Sequence, residues 1–157
     1  MPNDLVYSRG DALNVQRDRI RISFALHEKR RKLLDSIATL AGYKVELAHG
    51  LPDGCRPDVL RINPQERGLF IGEAKNCEPP SNLSTRVRLY AYFRWLLIHT
   101  VDGGGGILAI CFGNVRDTIG WTYNFNTMAN EAGVPFNSIH TTKVGPGLLI
   151  IWGYIQH

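Results

Sequence analysis

Between Arg56 and Lys75 the chain sets three charged residues among apolar ones: Asp58 directly after Pro57, then fourteen intervening residues, then Glu73-Ala74-Lys75. Side chains alternate along a strand, so Glu73 and Lys75 share one side and Ala74 takes the other. Asp58 opens one strand and Glu73 lies near the end of the next. A tight hairpin sets the start of the first beside the end of the second, which brings Asp58 next to Glu73. Charges at the ends of apolar strands are costly unless they are paired or bind an ion. Two adjacent carboxylates repel each other, and a divalent cation relieves that repulsion. Magnesium takes oxygen ligands and keeps several waters, so Asp58, Glu73 and the Ala74 backbone carbonyl form a candidate metal set, with manganese as a substitute. Such an ion makes hydroxide available from bound water and stabilises charge on a phosphate undergoing attack. Lys75 is then placed to orient or deprotonate the attacking water. The plain alternative for these residues is a Lys75–Asp58 salt bridge at a sheet edge.

The flanking residues predict the elements that carry this trio. Phe24 to Gly42 has helical spacing, with Leu26, Leu33, Ile37 and Leu40 on one face and a glycine at the end. Residues 1–22 show no clear periodicity and are expected to form an N-terminal arm. Tyr43 to Ala48 alternates as a strand, and Gly50 to Arg56 is a loop. Asp58 to Ile62 and Leu69 to Lys75 are strands joined by a polar turn containing Pro64. The second of these is apolar on both faces until its last residues, as in a sheet covered on both sides. Pro79, Pro80 and Ser81 break the chain before a helix from about Asn82 to Thr100, with Val87, Tyr90, Phe93 and Leu97 as its buried stripe. Gly103 to Gly106 lead into a buried strand, Ile107 to Phe112. A helix follows from Trp121 to Ala132, and Gly145-Pro146-Gly147 turns into a last strand, Leu148 to Ile155. Short turns between successive strands suggest an antiparallel meander, and a helix between two later strands suggests a parallel crossover. The expected fold is a single α/β domain over residues 1–157, a mixed sheet of about five strands with helices on both faces.

The motif Pro57-Asp58…Glu73-Ala74-Lys75 resembles that of the PD-(D/E)XK nucleases, the restriction-endonuclease-like superfamily. The core of that family runs helix, three strands, helix, strand (αβββαβ), with the Asp on the second strand and the Glu and Lys on the third. Residues 24–112 read in the same order. The resemblance implies a magnesium-dependent nuclease that hydrolyses DNA phosphodiester bonds, with Asp58, Glu73 and Lys75 as catalytic residues. RNA stays open as a substrate, as do endonuclease and exonuclease action. A copy of the fold that binds nucleic acid without cutting it is the alternative, although a dead copy would be expected to lose one of the three residues. The family often adds a glutamate from the first helix to the metal site, and Glu28 is the candidate, although its helical position lies opposite Leu33 and Ile37. The RecB-like branch carries a Gln and a Tyr four apart on the second helix. Arg86 and Tyr90 have that spacing, without the Gln.

Charge distribution agrees with a polyanionic partner. The net charge is +4. Arg30, Arg31 and Lys32 on the first helix, and Arg86 and Arg88 on the second, are candidate phosphate contacts; a solvated helix face is the ordinary use of such clusters. A homodimer would supply the two sites that cutting both strands of a duplex needs. Cys55, Cys77 and Cys111 have no metal-like spacing and read as free thiols of a cytoplasmic protein. No apolar run approaches the roughly 20 residues of a membrane span, and the polar segment from Met1 to Asp18 does not read as a signal peptide. Gly103 to Gly106 lack the lysine of a P-loop. Trp95, Trp121 and Trp152 are expected in the core. Tyr123 and Phe125 are expected to pack, with base stacking as their other use. His49 precedes Asp58 in the chain and is a further candidate near the site. His27 and His140 show no evident partner.

Overall fold

The central strand of the protein is β3 (Gly68–Lys75), buried along its length up to Lys75. It forms an antiparallel pair with β2 (Val59–Asn63), which pairs antiparallel with the short β1 (Val45–Glu46). On its other side β3 runs parallel to β4 (Gly105–Phe112), reached through helix α2 (Leu83–Val101). A third helix, α3 (Thr118–Ala132), leads to β5 (Ser138–Gly145), which forms a hairpin with β6 (Leu148–Ile155). The six strands stand in the order β1-β2-β3-β4-β6-β5. Helix α1 (Arg9–Leu40) lies on one face of this mixed sheet, and α2 and α3 lie on the other. The computed structural model describes residues 9–47, 50–51, 56–75, 83–101, 103–113, 118–145 and 148–156. Ala48, His49, Cys55, Cys77, the Pro79-Pro80-Ser81 break, Asn82, Pro146 and Gly147 lie outside them.

The α/β class, the meander and the parallel crossover are as expected. Helix α1 buries Leu34 and Ala38 where Leu26, Leu33, Ile37 and Leu40 are the expected face, and leaves Leu40 88% exposed; three further differences stand beside that one. Helix α1 begins at Arg9, so residues 9–22 of the expected arm are helical; residues 1–8 lie outside the described part. The sheet has six strands because β5 is present, a mostly exposed edge strand whose only charged residue is Lys143. That hairpin reverses the chain, so β6 runs antiparallel to β4. The third difference is the register of α2. Leu89, Tyr92, Phe93 and Leu96 are its buried residues, and Val87 is exposed. Residues 89–98 are almost all apolar, so several stripes compete and sequence periodicity picks the wrong one.

Two layers of core follow from strand alternation. Leu60, Leu69, Ile71, Leu108 and Ile110 pack against α2 and α3. Val59, Phe70, Ala74, Ala109 and Cys111 pack against Leu34 and Ala38 of α1. Close approach is built in at two glycines. A Cβ on Gly106 would stand 2.1 Å from the Leu69 carbonyl oxygen, where β3 and β4 meet. A Cβ on Gly72 would stand 3.1 Å from Val59 Cβ and 3.5 Å from Leu34 Cδ1, so its absence lets α1 sit close to the end of β3. Arg61 of β2 fixes α1 from the side with two bonds to the Asp35 carboxylate, 2.6 and 3.1 Å long, a bidentate geometry that resists rotation.

Candidate functional site

Val59 is paired with Gly72, so one step further along the two strands Asp58 falls across from Glu73. The Asp58 carboxylate is held there by the backbone. Its Oδ2 accepts the Ala74 N–H at 2.8 Å. The same oxygen lies 3.3 Å from Nε2 of His27, which α1 lowers onto the site one turn before Arg31. Asp58 thus ties α1 to the end of β3.

Glu73 is the only buried charged residue among those described, with 2% of its surface exposed. Burial and, next, the Asp58 charge raise its pKa above the ordinary carboxylate value. Three groups act in the opposite direction. Tyr92 of α2 donates its hydroxyl to Glu73 Oε2 at 2.7 Å. Lys75 Nζ lies 3.5 Å from Oε1, and an Arg88 guanidinium nitrogen lies 3.6 Å from the same oxygen. Burial, reinforced by Glu73, pushes the Tyr92 hydroxyl pKa upward, so that it stays a donor. The site is therefore a half-open cluster of two carboxylates with a lysine, an arginine, a tyrosine and a histidine around them.

The remaining residues expected at the site are placed as follows. Glu28 pairs with Arg31, whose Nε donates to it at 2.9 Å, and this bond lowers the Glu28 pKa. Its contacts are along α1, while its neighbour His27 turns to Asp58. The bond to Glu28 raises the Arg31 pKa, and the Asp58 charge adds a smaller effect in the same direction. Arg30 is half-buried and Lys32 is exposed. The backbone of Arg86 belongs to α2, and its side chain lies outside the described residues. Tyr90 donates to Glu131 of α3. The pair on α2 that reaches Glu73 at a spacing of four is Arg88 and Tyr92. Of the aromatic residues, Trp121 and Phe125 are buried, Trp95 and Trp152 are half-buried, and Tyr123 is exposed. His140 stacks on Trp152 with ring centres 4.3 Å apart. His27, Arg88 and Tyr92 escape a reading of the sequence because each reaches the site across a layer boundary. The spacing of four between Arg88 and Tyr92 is the one local signal, and it is hidden by the neighbouring pair Arg86 and Tyr90.

The donor set suits a hard divalent cation. Among the described residues no group of three or more His, Cys, Asp or Glu side chains forms a metal cage. Magnesium does not require one, since it is usually held by one or two carboxylates with water and substrate oxygens filling the remaining positions. A buried carboxylate facing a second carboxylate is the electrostatic setting in which a bound dication gains most. Asp58, Glu73 and the Ala74 carbonyl would supply protein oxygens, with the His27 imidazole beside them. Among the described residues no helix is long and apolar enough to cross a membrane. Comparison with known proteins yielded no significant match to a family model, a curated protein or a solved structure.

Proposed function

We propose that the chain is a magnesium-dependent nuclease of the PD-(D/E)XK type that hydrolyses phosphodiester bonds in DNA. The observation that carries this reading is the juxtaposition of Asp58 and buried Glu73 across the β2–β3 pair, with Lys75 on the Glu73 side of the strand. The order of elements around it, α1-β1-β2-β3-α2-β4, supports the same reading.

The bound cation would supply hydroxide from a coordinated water and neutralise charge on the phosphate under attack. The chain's own residues do the rest. Asp58, fixed by the Ala74 N–H, presents a carboxylate whose position is set by the backbone. Tyr92 keeps Glu73 pointed at the site through its short hydrogen bond. Lys75 lies on the site side of β3, where its ammonium orients the attacking water and stabilises negative charge on the phosphate oxygens. Arg88, about half exposed at the rim, can leave Glu73 to hold a phosphate of the substrate.

The test is cleavage of supercoiled plasmid and of end-labelled oligonucleotides. Cleavage is expected with magnesium or manganese, and neither with calcium nor with chelator. Calorimetry should show divalent-ion binding that is strongly weakened in Asp58→Asn. Equal ion binding by the two proteins would mean that the carboxylates serve structure. One observation favours a second reading, a module that binds nucleic acid without cutting it: Glu73 already has Tyr92, Lys75 and Arg88 as partners. Chelator-insensitive DNA binding with no cleavage under any metal would establish that reading instead.

A further inference from the structure

Helix α1 is about 48 Å long at 1.5 Å per residue, far longer than the sheet beneath it requires. Leu34 and Ala38 are buried on the sheet. Toward the N-terminus the helix runs on with Val15, Ile20, Ile22, Phe24 and Leu26, each between 43% and 69% exposed. A projecting helix of this kind has little stability by itself and takes most of it from packing.

The exposed residues are ordered. At 100° per residue, Val15, Ile22, Leu26, Leu33 and Ile37 fall within about 60° of one another. They form one stripe with spacings of seven, four, seven and four. Arg17 and Arg21 point away from it. The stripe leads directly into a bare region of the sheet. Helix α1 packs over β2, β3 and β4; beside it, β6 and β5 turn Leu148, Ile150, Trp152, Thr142 and Val144 to the same side with no described helix above them. Here lies an open, almost wholly apolar cleft of about 270 Å³ between Leu33, Ile37 and Ala41 of α1 and Ile150 and Trp152 of β6. A second depression, apolar at Leu26, Leu33, Val144 and Leu148 and basic along the Lys29, Arg30 and Lys32 side of α1, continues it toward the arm.

We propose that the chain forms a two-fold dimer in which the α1 helices pack antiparallel about Leu26, each arm filling the cleft of the other subunit. The occupant is a second copy because the stripe is complementary to itself. Its midpoint is Leu26, so antiparallel pairing sets Val15 opposite Ile37 and Leu26 opposite its own counterpart. Ile22 then meets the stem of Arg30, and Leu33 the stem of Arg19, whose charged ends reach solvent. Such mutual contacts are what an isologous interface requires. The same step covers the exposed arm and the bare half of the sheet.

The test starts from a parent in which Cys55 and Cys77 are replaced by serine; Cys111 is buried and stays. The parent is expected to sediment as a dimer at micromolar concentration. Leu26→Cys should form a disulfide-linked dimer under mild oxidation, and so should the double variant Val15→Cys, Ile37→Cys. Those two positions are 22 residues apart on one helix, so they cannot bridge within a chain. Either single variant of the pair should not cross-link. Ile22→Asp with Leu26→Asp should weaken dimerisation about a hundredfold with unchanged circular dichroism of the sheet. A monomeric parent, a dimer that survives the double aspartate change, or a dimer that Leu26→Cys leaves uncross-linked would each overturn the proposal. A parent that is monomeric alone and pairs only on added oligonucleotide would overturn it too, and would give the arm to nucleic acid.

Discussion

The two faces of the sheet are finished in different ways. The face under α2 and α3 is closed and apolar except at one end, where Glu73 sits buried and is held by Tyr92, Lys75 and Arg88. The face under α1 holds no buried charge among the described residues, and helix covers only part of it. Burying a carboxylate costs stability, and among the described residues that cost is accepted at a single position, beside a second carboxylate. Leaving an apolar cleft open also costs stability, but of a kind that a partner surface can remove. The first is the mark of chemistry and the second the mark of association.

The largest expected effect separates activity from stability. Asp58→Ala, Glu73→Ala and Lys75→Ala should each lower DNA cleavage about a hundredfold or more, the usual loss when a charge partner of the transition state is removed. Each variant should stay folded, as circular dichroism checks, although Asp58→Ala loses the bond to the Ala74 N–H and Lys75→Ala loses a partner of Glu73. Wild-type cleavage by Glu73→Ala would end the distinction between the faces at its catalytic side.

Next in size is a contrast within α1. Leu34 is fully buried under the closed part of the helix, and Leu34→Ala should cost about 2–5 kcal/mol. Leu33, one residue earlier, lines the open cleft. In the monomeric aspartate double variant, Leu33→Ala should cost less than about 1 kcal/mol. Denaturant unfolding of both changes in that background measures the difference. Equal costs would mean that the cleft is closed in solution.

The order of elements was legible because helix and strand periods differ and because glycine, proline and polar turns mark the breaks. The trio Asp58, Glu73 and Lys75 was legible because charged residues interrupt strands that are otherwise apolar. Other features left no such trace. The arm, residues 1–22, reads as irregular since Ile20 and Ile22 stand two apart as in a strand, and the helix they form buries neither of them within the chain. Strand β5 is polar and exposed, so no buried face marks it. In α2 a continuous apolar run hid which stripe is buried, and with it the fact that Arg88, two residues after Arg86, is the arginine beside Glu73. His27 meets Asp58 through the packing of α1 on the sheet, a relation between residues 31 positions apart that carries no local pattern.

A smaller effect tests the cost of the buried carboxylate directly. The Glu73 pKa is raised above its ordinary value of 4.5 by burial and by Asp58. The folded protein therefore keeps this proton to a higher pH than the unfolded chain does. The associated stability is complete below pH 4.5 and is lost as the pH rises through the raised pKa. Glu73→Gln is neutral throughout, so it should melt a few degrees higher than wild type at pH 8, and the gap should close on acidification. Magnesium should reverse the order by stabilising wild type alone. A variant less stable than wild type at pH 8 without metal would mean that Tyr92, Lys75 and Arg88 more than offset the burial of the charge.

The smallest effect concerns the rim. Two carboxylates in a cleft repel a polyanion unless positive charge nearby outweighs them. Arg88 stands at Glu73, Arg86 lies two residues before it on the same helix, and Arg30, Arg31 and Lys32 belong to α1 beyond His27. Phosphate contacts release counterions, so DNA affinity should fall with salt by roughly one unit of log–log slope per contact. The double variant Arg86→Ala, Arg88→Ala, assayed with calcium in place of magnesium, should lose about one to two units of that slope and a few-fold in affinity, with little dependence on DNA sequence. Arg30→Ala with Lys32→Ala should do the same from the α1 side, while leaving the Glu73 pocket untouched. An unchanged slope in the first variant and a reduced slope in the second would place the DNA along α1 alone. The closed face would then contribute only the catalytic residues, and Arg88 would serve to balance the charge of Glu73.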